Sequence, residues 1–401
     1  MQPKDPLSPV MLRHFAPFRM LCRLGGCFFI QTFSSKSIEN AKVNWKNFYT
    51  IYSASCFLSI TAFQVAFVIH RAEMISDITH SFSRSILLIV SSTIALKMII
   101  NFVSIVVGSS RLLEFLRSSA RFEASTGFLS ARPFPSVATN HLWSKFHRVL
   151  VVVALVNSYA VGFHFLVSGL TELLPPQWIL TGNIFGAFVC ALFHLYNSIP
   201  YMVLRCCSSV LVEYMRVQRV KFELCKGLQG ARSDAHASQA IEAVRLNLGV
   251  IRELKDSLNS MWHWSLGATC SGIIFMTCVV LFTIFQEGVH HREIWVSVSF
   301  LVYFWFSFVE MIYVSQALVD EAQKLKNATK VAPMFHATEG YIQQLRYLHA
   351  TIDPKGMGLS GGGFFRLNKS LLVSITGSII TYTVILSQSS DDLAHKIDLY
   401  S

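Results

Sequence analysis

Charged residues are scarce in this chain of 401 residues: Asp, Glu, Lys and Arg make up 14% of it, whereas 52% is hydrophobic. A soluble domain of this length needs more charged side chains to cover its surface, so composition excludes an ordinary soluble globular fold. The net charge of +11 would suit nucleic acid only if the basic residues shared one solvated face. They lie instead in the segments between apolar runs, so we expect a lipid bilayer as partner and no nucleic acid.

Several short signals are also missing. The first 47 residues have no apolar stretch that resembles a secretory signal peptide, so none is expected. The nine cysteines show no CxxC spacing, which argues against a metal site, and none lies in a segment assigned below to the outside. The adjacent pair His290 and His291 has no evident third ligand. We expect no metal, no cofactor and, without His, Asp or Glu at reactive spacing, no enzyme.

Seven stretches of about 20 mostly apolar residues predict membrane-spanning helices. They are residues 48–70, 85–108, 149–170, 178–204, 264–286, 294–316 and 367–388. With the N-terminus inside, 29 of the 34 Lys and Arg residues fall in inside segments and 4 in outside segments, while Lys97 lies within a span. The positive-inside rule therefore predicts an all-α integral membrane protein with seven helices, a cytoplasmic N-terminus and an external C-terminus.

The long segments on the predicted cytoplasmic side carry helical patterns of their own. Residues 236–262 place Ile241, Val244, Leu248, Ile251, Leu254 and Leu258 at helical spacing, and residues 338–352 look similar. An apolar stripe on a helix outside the membrane needs a partner, so these segments predict a cytoplasmic anchor layer of packed helices. Residues 11–33 are able to form an amphipathic helix at the membrane interface.

The last predicted span is unusually polar. Ser374, Ser378, Thr381, Ile385 and Gln388 fall within a sector of about 80° at 100° per residue. Such a stripe forms hydrogen bonds to a neighbouring helix or lines a water-filled pore. A pore needs a symmetric oligomer that places this helix next to the axis. Spacing alone leaves both interpretations open.

The C-terminal region resembles the signature of arthropod gustatory receptors. The run 363–372 (GFFRLNKSLL) is followed by Gly377, by Thr381-Tyr382 and, after five residues, by Gln388. The family motif is Thr-Tyr, five apolar residues, Gln and Phe. Thr383 and Ser387 are polar where the family is apolar, and Ser389 stands in place of the Phe. The sequence is thus similar to a divergent member of this seven-transmembrane chemosensory channel superfamily.

The resemblance implies a tastant-gated, non-selective cation channel in the plasma membrane of a chemosensory neuron, assembled as a homo- or heterotetramer with related receptors. The last helix of each subunit would line one central pore, with Thr381, Ile385, Gln388 and Ser389 as pore residues. A small-molecule tastant would bind in the outer half of the bundle. The candidate ligand-binding residues are Tyr159, Phe163, His164, Phe282, Gln286 and Tyr303.

Five regions follow from the spans and the resemblance together. They are a cytoplasmic N-terminal segment (1–47), a six-helix ligand-sensing bundle with cytoplasmic helical extensions (48–316), a cytoplasmic anchor segment (317–366), a pore-lining seventh helix (367–388) and an extracellular tail (389–401).

Two charges lie within predicted spans. Lys97 is in the middle of the second span. A charge at that depth faces a cavity, pairs with another group inside the bundle or extends its side chain to the membrane interface. Glu310 is nearer the cytoplasmic end of the sixth span, and a structural role is favoured for it.

A G-protein-coupled receptor is the alternative function, but the charge bias, and the absence of an Asp-Arg-Tyr and an Asn-Pro-x-x-Tyr sequence at the expected places, disfavour it. A transporter is less favoured because no internal repeat is obvious.

Overall fold

The structure is a computed structural model that describes residues 9–34, 38–76, 81–128, 175–226, 231–287, 292–330 and 338–398. Within these ranges the chain forms nine α-helices and two short antiparallel hairpins. The helices are α1 (Val10–Leu24), α2 (Phe48–Ser76), α3 (Ser81–Val107), α4 (Ser109–Thr126), α5 (Ile179–Lys226), α6 (Ala231–Glu287), α7 (Arg292–Lys330), α8 (Glu339–Thr351) and α9 (Lys369–Asp398). The hairpins pair β1 (Ile30–Gln31) with β2 (Lys42–Val43) and β3 (Ser360–Gly361) with β4 (Phe365–Arg366).

Five of these helices contain a stretch that is long and apolar enough to cross a membrane, and α3 and α4 pass the same test only as a pair bent by 54°. The stretches are Phe48–Ala66, Leu180–Cys225, His236–Phe282, Leu301–Lys330 and Lys369–Gln388. The predicted span 149–170 lies outside the described residues, and each of the other six overlaps α2, α3, α5, α6, α7 or α9. The expected helical integral membrane protein is confirmed.

Glycines set both ends of α4. At Gly108, between α3 and α4, an added Cβ would lie 2.5 Å from the Ser104 carbonyl oxygen, so the bend requires glycine. At the other end Gly127 adopts a left-handed conformation (φ 64°), and its N–H donates to the Glu123 carbonyl. The chain therefore turns out of the direction of α3 and runs along a second axis.

Three helices are far longer than a bilayer is thick. α5, α6 and α7 contain 48, 57 and 39 residues, whereas about 20 residues cross the hydrocarbon core. Their extensions pack together with α4 and α8. Arg219 of α5 forms an ion pair with Glu321 of α7 at 2.9 Å, and the Lys324 ammonium lies 2.9 Å from the same carboxylate. The C-terminal parts of α5 and α7 are thus joined by charged side chains.

The N-terminal helix is shorter than the interfacial helix considered for residues 11–33. It ends at Leu24 because Gly25 and Gly26 follow, and Gly26 has a positive φ of 71°. Its buried face packs against α4 and α5. The Glu123 carboxylate accepts hydrogen bonds from the backbone N–H groups at the start of α1, including that of Met11 at 2.9 Å. The N-terminal segment is therefore fastened to the bundle.

A buried polar network joins three helices in the interior. The Asn101 side chain of α3 donates to the Tyr196 carbonyl of α5 at 3.2 Å and accepts a hydrogen bond from Ser265 of α6 at 2.6 Å. The Tyr196 ring packs edge-on against Phe102, at 5.2 Å between centroids. Since a buried amide is costly unless it is paired, this network specifies how α3, α5 and α6 fit together.

Candidate pore helix and bundle interior

The β3–β4 hairpin leads directly into α9 and is fastened to the bundle. The N–H of Leu359 donates to the Ser315 hydroxyl of α7 at 2.9 Å. The buried Lys255 ammonium of α6 donates to the Gly356 carbonyl at 2.7 Å, just before the hairpin. The segment that precedes α9 is therefore held to both α6 and α7.

One face of α9 packs against the rest of the chain. Ile375, Ile379 and Thr383 follow each other at four-residue spacing and are all buried. The Cys278 thiol of α6 lies 4.0 Å from the Ile379 carbonyl oxygen. Thr383, one of the two polar departures from the apolar run of the motif, is thus on the packing face, where its hydroxyl is buried without a hydrogen-bond partner among the described residues.

The polar stripe of α9 faces away from the rest of the described chain. Ser374 and Thr381 are exposed, Ser378 is partly exposed, and each hydroxyl donates to the carbonyl four residues earlier in α9 at 3.0–3.1 Å. Ile385 is 49% exposed and Gln388 is exposed as well. Among the described residues the stripe forms no hydrogen bond to another helix of this chain, which was one of its two interpretations.

The rest of the motif is also on the open side. Tyr382 is 56% exposed, and a Cβ built on Gly377 would meet nothing within 4 Å. Ser389 belongs to α9, but its side chain lies outside the described part of the structure. The helix continues to Asp398, ten residues past Gln388, where the predicted span ends. The predicted tail 389–401 is therefore helical over most of its length. Hydropathy did not predict this, because it identifies the end of the apolar stretch and not the end of the helix.

The structure places only two of the six candidate ligand residues. Tyr159, Phe163 and His164 lie outside the described residues, and Gln286 is described only as part of α6. Phe282 and Tyr303 are buried, on α6 and α7 respectively. The Tyr303 hydroxyl donates to the Ser198 hydroxyl of α5 at 2.8 Å, so this tyrosine connects α7 to α5.

A small cavity lies deeper in the bundle, between α5, α6 and α7. It has a volume of about 10 Å³, room for one water molecule, and its lining includes Tyr201, Trp262, Ser265 and Thr269. The Tyr201 hydroxyl and the Trp262 indole N–H are buried without a hydrogen-bond partner among the described residues. None of the predicted ligand residues lines this cavity.

Lys97 is buried, with 5% of its surface exposed. Its ammonium lies 3.7 Å from the centre of the Phe304 ring of α7 and 5.9 Å from that of Tyr201 of α5. In the part of the chain that the structure describes, no carboxylate is within salt-bridge distance of it. Aromatic faces therefore stabilise this charge in place of an acidic partner. The sequence pattern identified the buried lysine but not these rings, which are distant in sequence.

Glu310 has a conventional partner. Its carboxylate lies 2.6 Å from the Arg205 guanidinium of α5, and only 6% of the Glu310 side chain is exposed. The ion pair joins α5 to α7 within the apolar stretch of α7. Pairing offsets the cost of burying a carboxylate at that depth.

Comparisons with known proteins agree with this helical membrane fold. The sequence profile of 7tm chemosensory receptors matches residues 18–392. The structure of the insect olfactory receptor OR5 from Machilis hrabei in complex with eugenol is 12% identical, covers 94% of this chain and 98% of its own, and has a TM-score of 0.66. A second structure of the same receptor is 13% identical with the same coverage and a TM-score of 0.61. No curated protein sequence is significantly similar. The structural likeness shows a shared fold.

Proposed function

The chain belongs to the 7tm chemosensory receptor family, and from that premise we propose that it is a gustatory-type receptor that acts as a tastant-gated, non-selective cation channel. Four copies surround a central pore, and α9 of each copy lines it. Thr381, Ile385, Gln388 and Ser389 form the pore surface. The family is one of receptors, so the chain is not an enzyme.

The observation that carries the proposal is the open polar face of α9. The helix packs on its own bundle through Ile375 and Ile379 and leaves hydroxyl and amide groups on the opposite side. That side must face another helix, lipid or water. In lipid an exposed amide such as that of Gln388 is unfavourable, whereas around a water-filled axis the amide and the hydroxyls are solvated. Open space around Gly377 lets a neighbouring helix approach closely.

The gate follows from the same residues. Ile385 is the apolar member of the stripe, and a ring of four such side chains closes a pore by excluding water. Gln388 lies almost one turn further along and offers amide oxygens that replace part of the hydration shell of a cation. Ligand binding between the outer parts of the bundle helices favours the open arrangement, and the hairpin before α9 transmits the movement.

The gustatory assignment is supported by the motif. Thr381-Tyr382 followed by five residues and Gln388 is the pattern that gustatory receptors share, and all three residues lie on the exposed side of α9. The two similar structures are of an olfactory receptor, one with bound eugenol, but at 12–13% identity they support the fold and not the ligand. A small organic ligand is common to both types of receptor.

The competing function is a G-protein-coupled receptor, and one recording separates the two. Cells that express this chain alone are exposed to a panel of sugars, bitter compounds and volatile aromatics while membrane current is recorded with G-protein signalling blocked. A channel produces a ligand-evoked current that persists under the block. A current that disappears under the block would show that the protein signals through G proteins.

A second experiment tests the orientation separately. An epitope tag after Ser401 should be stained on intact cells, and a tag at the N-terminus only after permeabilisation, because the basic segments remain in the cytoplasm. The opposite staining would overturn the pore geometry, because Gln388 would then lie at the cytoplasmic mouth.

A further inference from the structure

The end of α1 lies beside the first turns of α2. The Tyr49 hydroxyl of α2 donates to the Arg23 carbonyl at 2.7 Å, and the Tyr52 hydroxyl donates to the Leu24 carbonyl at 2.5 Å. Because α2 and its apolar stretch both begin at Phe48, these bonds hold the end of α1 at the level where the chain enters the membrane.

Large apolar side chains are exposed at this level. Met20 is 70% exposed, Leu24 55%, Trp45 41% and Phe48 85%. The Trp45 ring stacks on Phe29 with centroids 4.2 Å apart, so its position is fixed while one side stays open. Tryptophan with apolar neighbours is typical of the boundary between headgroups and acyl chains.

The charges on this part of the chain are of one sign. Between Val10 and Phe48 the sequence has six Lys and Arg residues and a single acidic one, Glu39. Arg23, Lys42 and Lys46 are exposed. Among the described residues none of the three has a carboxylate within salt-bridge distance, and the Arg23 guanidinium lies over the Tyr49 ring at 5.9 Å. Their positive charges therefore remain available to an anionic partner.

We propose that this surface, formed by Met20, Arg23, Leu24, Lys42, Trp45 and Lys46 and named here the interfacial surface, binds anionic phospholipids of the adjacent leaflet. The apolar side chains reach the boundary with the acyl chains, and the three cations bind the phosphate and carboxylate of the headgroup. Lipid is preferred as occupant over a second copy because the surface is continuous with a membrane span and, over Val10–Phe48, carries almost no acidic residue that could pair with the same surface of a second copy.

The expected selectivity follows from the number of cations. One basic residue near an anionic membrane surface favours binding by about fivefold, so three residues give a clear preference for phosphatidylserine over phosphatidylcholine. The preference should weaken as ionic strength rises, because the screening length falls from about 10 Å at 0.1 M salt to about 3 Å at 1 M.

The test uses the full-length receptor in phosphatidylcholine liposomes. A fixed fraction of the lipid is replaced by brominated phosphatidylserine or, in a parallel sample, by brominated phosphatidylcholine, since bromine quenches tryptophan on contact. The contribution of Trp45 is the difference between the wild type and Trp45→Phe, which retains the ring stack on Phe29. Brominated phosphatidylserine should quench this contribution severalfold more strongly, and high salt should remove the difference.

Variants identify the groups responsible. Arg23→Gln/Lys42→Gln/Lys46→Gln should make the two lipids quench equally, and Arg23→Lys/Lys42→Arg/Lys46→Arg should retain the preference. The matched control Arg252→Gln/Lys330→Gln/Arg346→Gln removes three exposed cations from α6, α7 and α8 and should also retain it. Equal quenching in the wild type at low salt would overturn the proposal. Quenching of Trp45 by neither lipid would overturn it as well, because protein would then cover the surface.

Discussion

The Lys97 ammonium lies 3.7 Å from the centre of the Phe304 ring, deep in the apolar part of the bundle. The ring stabilises a cation that has no acidic partner among the described residues, and the contact joins α3 to α7. Gly272 of α6 lies beside the same side chain, since a Cβ on Gly272 would be 3.5 Å from the Lys97 side chain. A single charge is thus enclosed by helices from distant parts of the chain.

This contact predicts a coupling between two substitutions. Phe304→Leu should destabilise the wild type by about 1–2 kcal/mol more than it destabilises Lys97→Met, because only the wild type loses a cation–π contact. The thermal unfolding of the purified receptor in detergent measures this. The same substitution one turn along, Phe308→Leu, should cost equal amounts in both backgrounds. Equal costs for Phe304→Leu would show that the ring contributes only packing.

The Arg205–Glu310 pair predicts an asymmetric cost. Glu310→Gln should lower stability by about 1–3 kcal/mol, since it leaves the Arg205 guanidinium, whose side chain is only 28% exposed, without its carboxylate. The exposed pair Glu114–Arg121 is the control, and Glu114→Gln should change stability by less than about 1 kcal/mol. Thermal unfolding of both variants measures the two changes in stability. The interchange Arg205→Glu/Glu310→Arg should recover part of the loss, and no recovery would argue against a direct pair.

Gln388 is the residue on which the pore assignment is most easily tested. Gln388→Ala should change the reversal potential in mixed sodium and potassium or calcium solutions, because in the proposed pore it removes an amide that coordinates passing cations. The ligand concentration that gives half-maximal current should stay the same. The matched control Gln343→Ala removes an exposed amide from α8 and should alter neither quantity. A change in ligand sensitivity alone would contradict the placement of Gln388 in the pore.

His349 predicts a pH dependence in α8. Partial burial, followed by the positive charges of Lys326 and Lys330, lowers the pKa of His349 below its usual 6.5. The unfolded state then takes up a proton first as pH falls. Packing of α8 should be at full strength above pH 6.5 and weaken as pH falls through 6.5 toward the folded-state pKa.

Hydrogen exchange of residues 339–351 at matched pH measures this effect as the difference between the wild type and His349→Gln. The difference should grow as the pH is lowered. The Thr329 hydroxyl lies 2.7 Å from His349 Nδ1 and is available to glutamine as well, so the variant retains a polar contact. A difference that is constant with pH would exclude His349 as the titrating group.

Local patterns in the sequence were sufficient for much of this architecture. Runs of apolar residues identify spans, and a period of 3.6 identifies helices, because both depend on neighbours along the chain. For this reason the helices over 236–262 and 338–352 and the stripe from Ser374 to Gln388 were predictable. The length of α9 was not, since its last ten residues are helical without being apolar.

The sequence by itself determined that this protein is a helical membrane protein of the chemosensory type and that its last helix is polar along one stripe, and it predicts that the basic segments lie on one side of the membrane. Only the tertiary structure decided that the stripe is open, that Lys97 faces Phe304, that Glu310 pairs with Arg205 and that Glu123 binds the start of α1. These pairs are separated by about a hundred residues or more, so no local period encodes them. They depend on which helices are neighbours, and packing of the whole bundle determines that.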